Sequence, residues 1–212
     1  MEFQKAIQPL LQNEVFIFSS EHGKKVHRLT NKQKENNQIT KAEDVKVRSN
    51  YNIWTGYHNI ADVDLDSDET RELADDFLNS TGVEFGRSKH KGRSHRLYRI
   101  LDLDKKKHTR NSYTFRDSET ENTIIELRAH GHYTMCGGDY DDPKDTVIFN
   151  KAAKVTEITW DQLHKQVAML GVASIMLRKV KNSSPHNEFY KYMAGALKQH
   201  KLTEDDAETI FD

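Results

Sequence analysis

Cysteine is almost missing from this 212-residue chain. With Cys136 alone, an internal disulfide is excluded, and so is a zinc knuckle built on cysteines. Long apolar runs are missing as well. No stretch approaches the roughly 20 residues that span a bilayer, so no membrane partner is expected. The opening residues, Met1-Glu2-Phe3-Gln4-Lys5, lack the basic-then-apolar pattern of a secretory signal. Together these absences set the expectation of a cytoplasmic protein. Net charge is nearly absent too, at −1, although 31% of residues are charged and 35% hydrophobic. Such a composition suits a highly charged globular chain with one substantial core, or one core and a small satellite.

The near-zero net charge hides strong segregation. Between Asp62 and Asp76 eight acids stand against Arg71 alone, and between Gly86 and Asn111 ten Lys and Arg stand against Asp102 and Asp104. Basic runs are more often solvated loops than binding surfaces. A basic belt beside an acidic cluster, however, suits a polyanion whose phosphates meet cations while its reacting centre meets metal. The acidic cluster begins with Ile60-Ala61-Asp62-Val63-Asp64-Leu65-Asp66, whose alternation predicts a half-buried strand. All three aspartates then leave one face, with Ala61, Val63 and Leu65 packing behind. Carboxylates crowded in this way repel one another, and divalent metal relieves the repulsion.

Along the chain, residues 6–18 predict a short helix running into a strand, and residues 20–50 a strand fragment plus a mobile loop. Asn52 to Gly56 reads as a short strand and turn. After the aspartates, N-cap chemistry at Asp66 to Thr70 opens a helix with Leu73, Ala74, Phe77 and Leu78 on its apolar face. Val83 to Gly86 is a short strand, Arg87 to Arg93 a basic loop, and His95 to Leu103 a longer strand with His95, Leu97, Leu101 and Leu103 on one face. Thr123 to Met135 predicts one further strand, with Ile125 and Leu127 opposite Glu126 and Arg128. Asp139 to Asp145 is a turn into the strand Thr146 to Phe149. From Thr159-Trp160-Asp161-Gln162, a capping box, a helix runs to about Val180. A second helix carries Phe189, Met193, Ala196 and Leu197, and a third opens at Thr203. The chain stops at Asp212 with no C-cap signal, as the front piece of something longer would.

The ordered set of motifs resembles the archaeo-eukaryotic primase superfamily, specifically the bifunctional primase-polymerase domains of phages, plasmids and mobile elements. Asp62-Val63-Asp64-Leu65-Asp66 is similar to the family's first motif, Asp-hydrophobic-Asp. Thr81 to Arg87 followed by Ser94-His95-Arg96-Leu97-Tyr98 resembles the small-residue-and-His second motif, and Ile125-Glu126-Leu127-Arg128 the third, acidic one. Asn52-Ile53-Trp54-Thr55-Gly56 resembles the lead-in, and Ala194-Gly195-Ala196-Leu197 the helical segment after the catalytic domain. The likeness covers roughly residues 50–210. It departs from the family pattern at Cys136-Gly137-Gly138, where many relatives carry Pro-Pro-Ser, and at Ser94, which directly precedes the histidine instead of standing two before it.

The resemblance implies an α/β (α+β) fold: a mixed sheet forming an RNA-recognition-motif-like palm with flanking helices, over residues 1–155, then a small helical domain over 156–212. It implies template-directed nucleotidyl transfer on single-stranded DNA, with nucleoside triphosphates as substrates and two Mg²⁺ or Mn²⁺ ions as cofactors. Asp64 with Asp62 or with Asp66, and Glu126, would hold the metals. His95, Ser94, Arg93 and Arg128 would meet the incoming nucleotide. The belt residues Lys89, Lys91, Arg96, Lys105, Lys106 and Lys107 would hold template and primer phosphates. A helicase domain or protein is a further partner on this reading.

Two other readings stay open. A catalytically inert relative would bind single-stranded nucleic acid through the same basic surface, with Tyr98, Tyr113 and Phe115 as stacking platforms. His130-Gly131-His132 on a strand, with Tyr190 and Tyr192 on a helix, would suit a nickase with a tyrosine nucleophile. Gly131 argues against it, because such a site wants a bulky apolar residue between the histidines.

Overall fold

A computed structural model describes residues 3–21, 29–46, 49–103, 112–117, 120–138, 145–181, 194–195, 197–198 and 201–211. In chain order the elements are α1 (Phe3–Gln12), β1 (Ile17–Glu21), α2 (Asn31–Asn36), β2 (Gln38–Ile39), β3 (Ser49–Trp54), β4 (Ile60–Leu65), α3 (Asp68–Phe77), β5 (Val83–Arg87) and β6 (His95–Ile100). There follow β7 (Ser112–Arg116), β8 (Thr123–Arg128), β9 (Tyr133–Gly137), β10 (Val147–Ala152), β11 (Thr156–Ile158), α4 (Trp160–Lys181) and α5 (Glu204–Phe211). The chain is a mixed α+β protein, as its sequence predicts.

Alternation along β4 decides the layering. Ala61, Val63 and Leu65 pack with Ala74, Leu78, Leu163, Val167 and Leu170, which places α3 and α4 on one face of the larger sheet. Ile60 points the other way and joins Val83, Phe85 and Leu97 against Ile7 and Leu10 of α1 and Ile17, Ile53 and Cys136 of the smaller sheet. Each fully buried aliphatic side chain contributes about 1.5–3 kcal/mol, so this two-faced strand ties both cores together.

The larger sheet has strand order β10-β5-β6-β4-β8-β7, with β11 beside β6, and the smaller one has order β2-β1-β3-β9. Among the described residues all pairings are antiparallel except that of β11 with β6. Because β6 lies antiparallel between β4 and β5, the unit β4-α3-β5 is a split β-α-β crossover. Between β6 and β8 the described chain contains β7, hairpinned to β8, and the helix lying over both strands is α4. Gly171 permits this approach, since a Cβ there would stand 2.7 Å from the Phe115 ring. Residues on both sides of position 155 share one core, because β11 extends the sheet and α4 fills its helical face.

Three local expectations change. The polar tract 20–50 contains a helix, α2, closed by a capping box between Thr30 and Gln33. The strand expected over Thr123 to Met135 is two strands in different sheets, broken at Gly131, whose φ of 80° no extended strand accepts. β6 ends at Ile100, so Leu101 is exposed instead of sharing a face with Leu97. The turn expected at Asp139 to Asp145 lies mostly outside the described residues, as do the residues between α4 and Ala194.

Among the described residues no helix is long and apolar enough to cross a membrane.

Candidate active site

The register of β4 builds the site. Asp64 stands directly opposite His95 on β6 and Glu126 on β8, so three polar side chains form one row across three adjacent strands. Asp62, one step deeper on the same face, stands opposite Leu97 and Arg128. The smaller sheet covers the inner end of this row with Thr134 of β9, whose hydroxyl lies 3.3 Å from His95 Nδ1. The outer end is open. Asp62 is fully buried and Asp64 nearly so, Glu126 and Arg128 are half-buried, and Asp66 is exposed just past the strand.

Contacts within the row are short. His95 Nδ1 lies 3.1 Å from Asp62 Oδ2 and 3.5 Å from Asp64 Oδ1. Arg128 Nη2 lies 2.5 Å from Asp64 Oδ2 and 2.7 Å from Glu126 Oε2, and its Nε donates to the same Glu126 oxygen at 2.8 Å. Its Nη1 is 3.8 Å from Asp62. Three carboxylates thus meet two cations. Two like charges 4 Å apart repel by about 4 kcal/mol at an effective dielectric of 20, which explains why acids so placed need cations among them.

The protonation of the row follows from burial and charge. Burial alone would lower the His95 pKa, but the Asp64 and Asp62 carboxylates hold it up to about 9, so the imidazole is cationic at neutral pH. The Phe85 ring, stacked on the imidazole at 5.0 Å, fixes its plane. Burial raises the Asp64 carboxyl, with the cations His95 and Arg128 pulling against it and the carboxylates of Asp62 and Glu126 adding to it. Asp66 is pushed up to about 6, by desolvation first and by the Asp64 charge second. The guanidinium of Arg128, which burial would disfavour, is held charged by the same acids.

Beyond β4 the chain turns at Ser67, whose hydroxyl caps Thr70 at the start of α3. Asp66 N–H donates to Ile124 O at 3.0 Å, tying this turn to the start of β8. A cleft of about 610 Å³ opens here, lined by Asp66, Asp68, Glu69, Arg71, Asn122 and Arg178 among others.

The sequence-predicted residues divide. Asp62, Asp64, His95, Glu126 and Arg128 come together, with Asp66 at the mouth. Lys89 and Lys91 lie exposed in the β5–β6 turn, at the end of the sheet where Asp64 meets His95. Lys89 Nζ is 3.7 Å from Asp145, which also takes Arg87. Arg96 is not on this surface. Strand alternation sends it to the opposite face, where it is buried beneath α3, bonded to Ala74 O at 3.0 Å and paired with Asp75 and Glu84. Arg93 is held 2.6 Å from the same Asp75. Ser94 is buried with its hydroxyl unpartnered, and its carbonyl accepts from Leu65 N at 2.7 Å. Lys105, Lys106 and Lys107 fall outside the described residues. His130 and His132 flank the turn at Gly131 and are not on a strand, and Tyr190 and Tyr192 lie outside the described residues. Thr134 and Phe85 are the site residues that sequence reasoning missed. Thr134 carries no local signal at all, since a second sheet delivers it.

The donor set is chemically suited to a hard divalent cation, being carboxylate oxygens, and Asp62 Oδ1 is buried with no partner of its own. Among the described residues, though, no three His, Cys, Asp or Glu groups already converge as a metal cage. The Arg128 guanidinium stands among them instead. No protein-family model matches the chain, and no curated protein matches it.

Proposed function

We propose that this chain is a template-directed nucleotidyltransferase of the primase-polymerase kind, synthesising or extending primers on single-stranded DNA. The observation that carries the reading is the row of His95, Asp64 and Glu126 across three adjacent strands, backed by Asp62 and open toward Asp66. The split β-α-β order of β5-β6-β4-β8 supports it, because a palm of the RNA-recognition-motif type has that arrangement of its four central strands.

Asp64 with Asp62 or Asp66, and Glu126, would hold the divalent ions. When bound, two such ions supply activation of a 3′-hydroxyl and neutralisation of the leaving pyrophosphate. The protein's own groups do the rest. His95 orients Asp62 through Nδ1, leaving only its other ring nitrogen to meet a nucleotide phosphate. Arg128 carries positive charge at the open side of the row, where a triphosphate would arrive. Lys89 and Lys91, at the same end of the sheet, would meet template phosphates, so binding weakens as salt rises. A helicase partner and the cytoplasm belong to this reading as well.

One observation favours a second reading. His95 and Arg128 already neutralise much of the acidic row, so the fold needs no metal to hold it, and an inert single-strand-binding module could be built this way.

The deciding experiment is primer synthesis and primer extension on single-stranded DNA with all nucleotides and Mg²⁺ or Mn²⁺, beside Asp64→Ala and an EDTA control. Metal-dependent products that disappear in Asp64→Ala are expected. Full activity in that variant would remove β4 from the metal site. Salt-sensitive DNA binding without any product would favour the inert module.

A further inference from the structure

One guanidinium touches every carboxylate in the buried row. Arg128 reaches Asp64 at 2.5 Å, Glu126 at 2.7 Å and Asp62 at 3.8 Å. Its direct cross-strand neighbour is Asp62, yet its side chain leans diagonally so that the charge sits between the two outer acids. Arg128 is also on the open side: its side chain keeps 21% of its surface in solvent, whereas that of Asp62 keeps none. A long side chain so placed can leave the row without unpacking either core. The acids it would leave cannot lose all positive charge, because His95 remains and the interior cannot hold three uncompensated carboxylates.

We propose that Arg128 is an exchangeable counter-cation. It holds the acidic row together before metal arrives and competes with a divalent ion for Asp64 and Glu126. The inference rests on the metal-dependent reading above. Exchange of this kind makes metal uptake selective, because a monovalent ion brings no more charge than the guanidinium it must displace. It also couples the row to a polyanion. A phosphate at the mouth offers Arg128 a bidentate partner, and whatever draws the guanidinium outward raises the affinity of the acids for metal.

The test is manganese binding, read from the paramagnetic resonance of free Mn²⁺, for the wild type, Arg128→Gln, Arg128→Lys and Arg128→Gln combined with Asp64→Asn. Arg128→Gln is expected to bind Mn²⁺ about tenfold or more tightly than wild type, since a competing charge has gone. Arg128→Lys should fall between them, a point charge being unable to bridge two carboxylates as a planar fork does. Adding Asp64→Asn should erase the gain. Thermal melting gives a second readout: metal-free Arg128→Gln should melt below wild type and recover on adding Mn²⁺. Equal, Asp64-dependent binding by wild type and Arg128→Gln would overturn the exchange while leaving the metal reading intact. No binding by either would overturn both. Should Arg128→Gln fail to fold, Arg128→Lys decides alone, with tighter binding than wild type expected and equal or weaker binding overturning the proposal.

Discussion

Asp62 has no exposed surface, and its nearest donor is His95. Breaking a buried pair by removing one partner costs about 3–5 kcal/mol, because the other is left without compensation. His95→Gln should therefore lose stability on that scale in urea denaturation, before any effect on nucleotide binding is considered. A loss below about 1 kcal/mol would mean that Arg128, and not His95, supports Asp62. Asp64→Ala differs, since it leaves His95 with Asp62 and Arg128 with Glu126. At this scale the site was legible because the spacing of two along β4, β6 and β8 assigns faces. The same rule would have removed Arg96 from the basic belt: if His95 faces the acids, Arg96 faces α3.

Helices α3 and α4 are joined by two ion pairs, Lys181 with Glu72 at 2.8 Å and Arg178 with Glu69. Arg178 donates to Glu69 at 2.7 and 3.2 Å and to Asp117 at 2.8 Å. Those bonds hold the Glu69 carboxyl down to about 2 against the opposing effect of burial, from an ordinary 4.5. A folded-state pKa below the unfolded one adds stability that is complete above 4.5 and is lost as pH falls toward about 2. Wild type should accordingly lose on the order of 2 kcal/mol more than Glu69→Gln across that window, in urea titrations at fixed pH. Identical acid slopes in the two proteins would show that the pair contributes nothing. The helices themselves were legible, α3 from its cap and apolar face, α4 from its capping box. Their pairing was not, because Glu69 and Arg178 are 109 residues apart.

The apolar core between the two sheets contains one thiol. Cys136 is buried on the inner face of the smaller sheet, and burial pushes its pKa well up. It should resist a thiol reagent in native protein, and its labelling should rise with denaturant in step with global unfolding. Rapid native labelling would mean that the sheets part while the rest stays folded. At this whole-molecule scale, the sequence by itself determined what one strand or one helix can state: the period that makes β4 two-faced, the acids on one of its faces, the caps of α3 and α4, and the mixed α+β class. The tertiary structure alone decided the strand order, the break at Gly131 that sends β9 to a second sheet, and the delivery of Thr134 to His95. It also decided that Arg128 stands among the acids. Periodicity is a property of neighbours in the chain, whereas a charge in a buried row finds its partners across strands, at distances that no local pattern encodes.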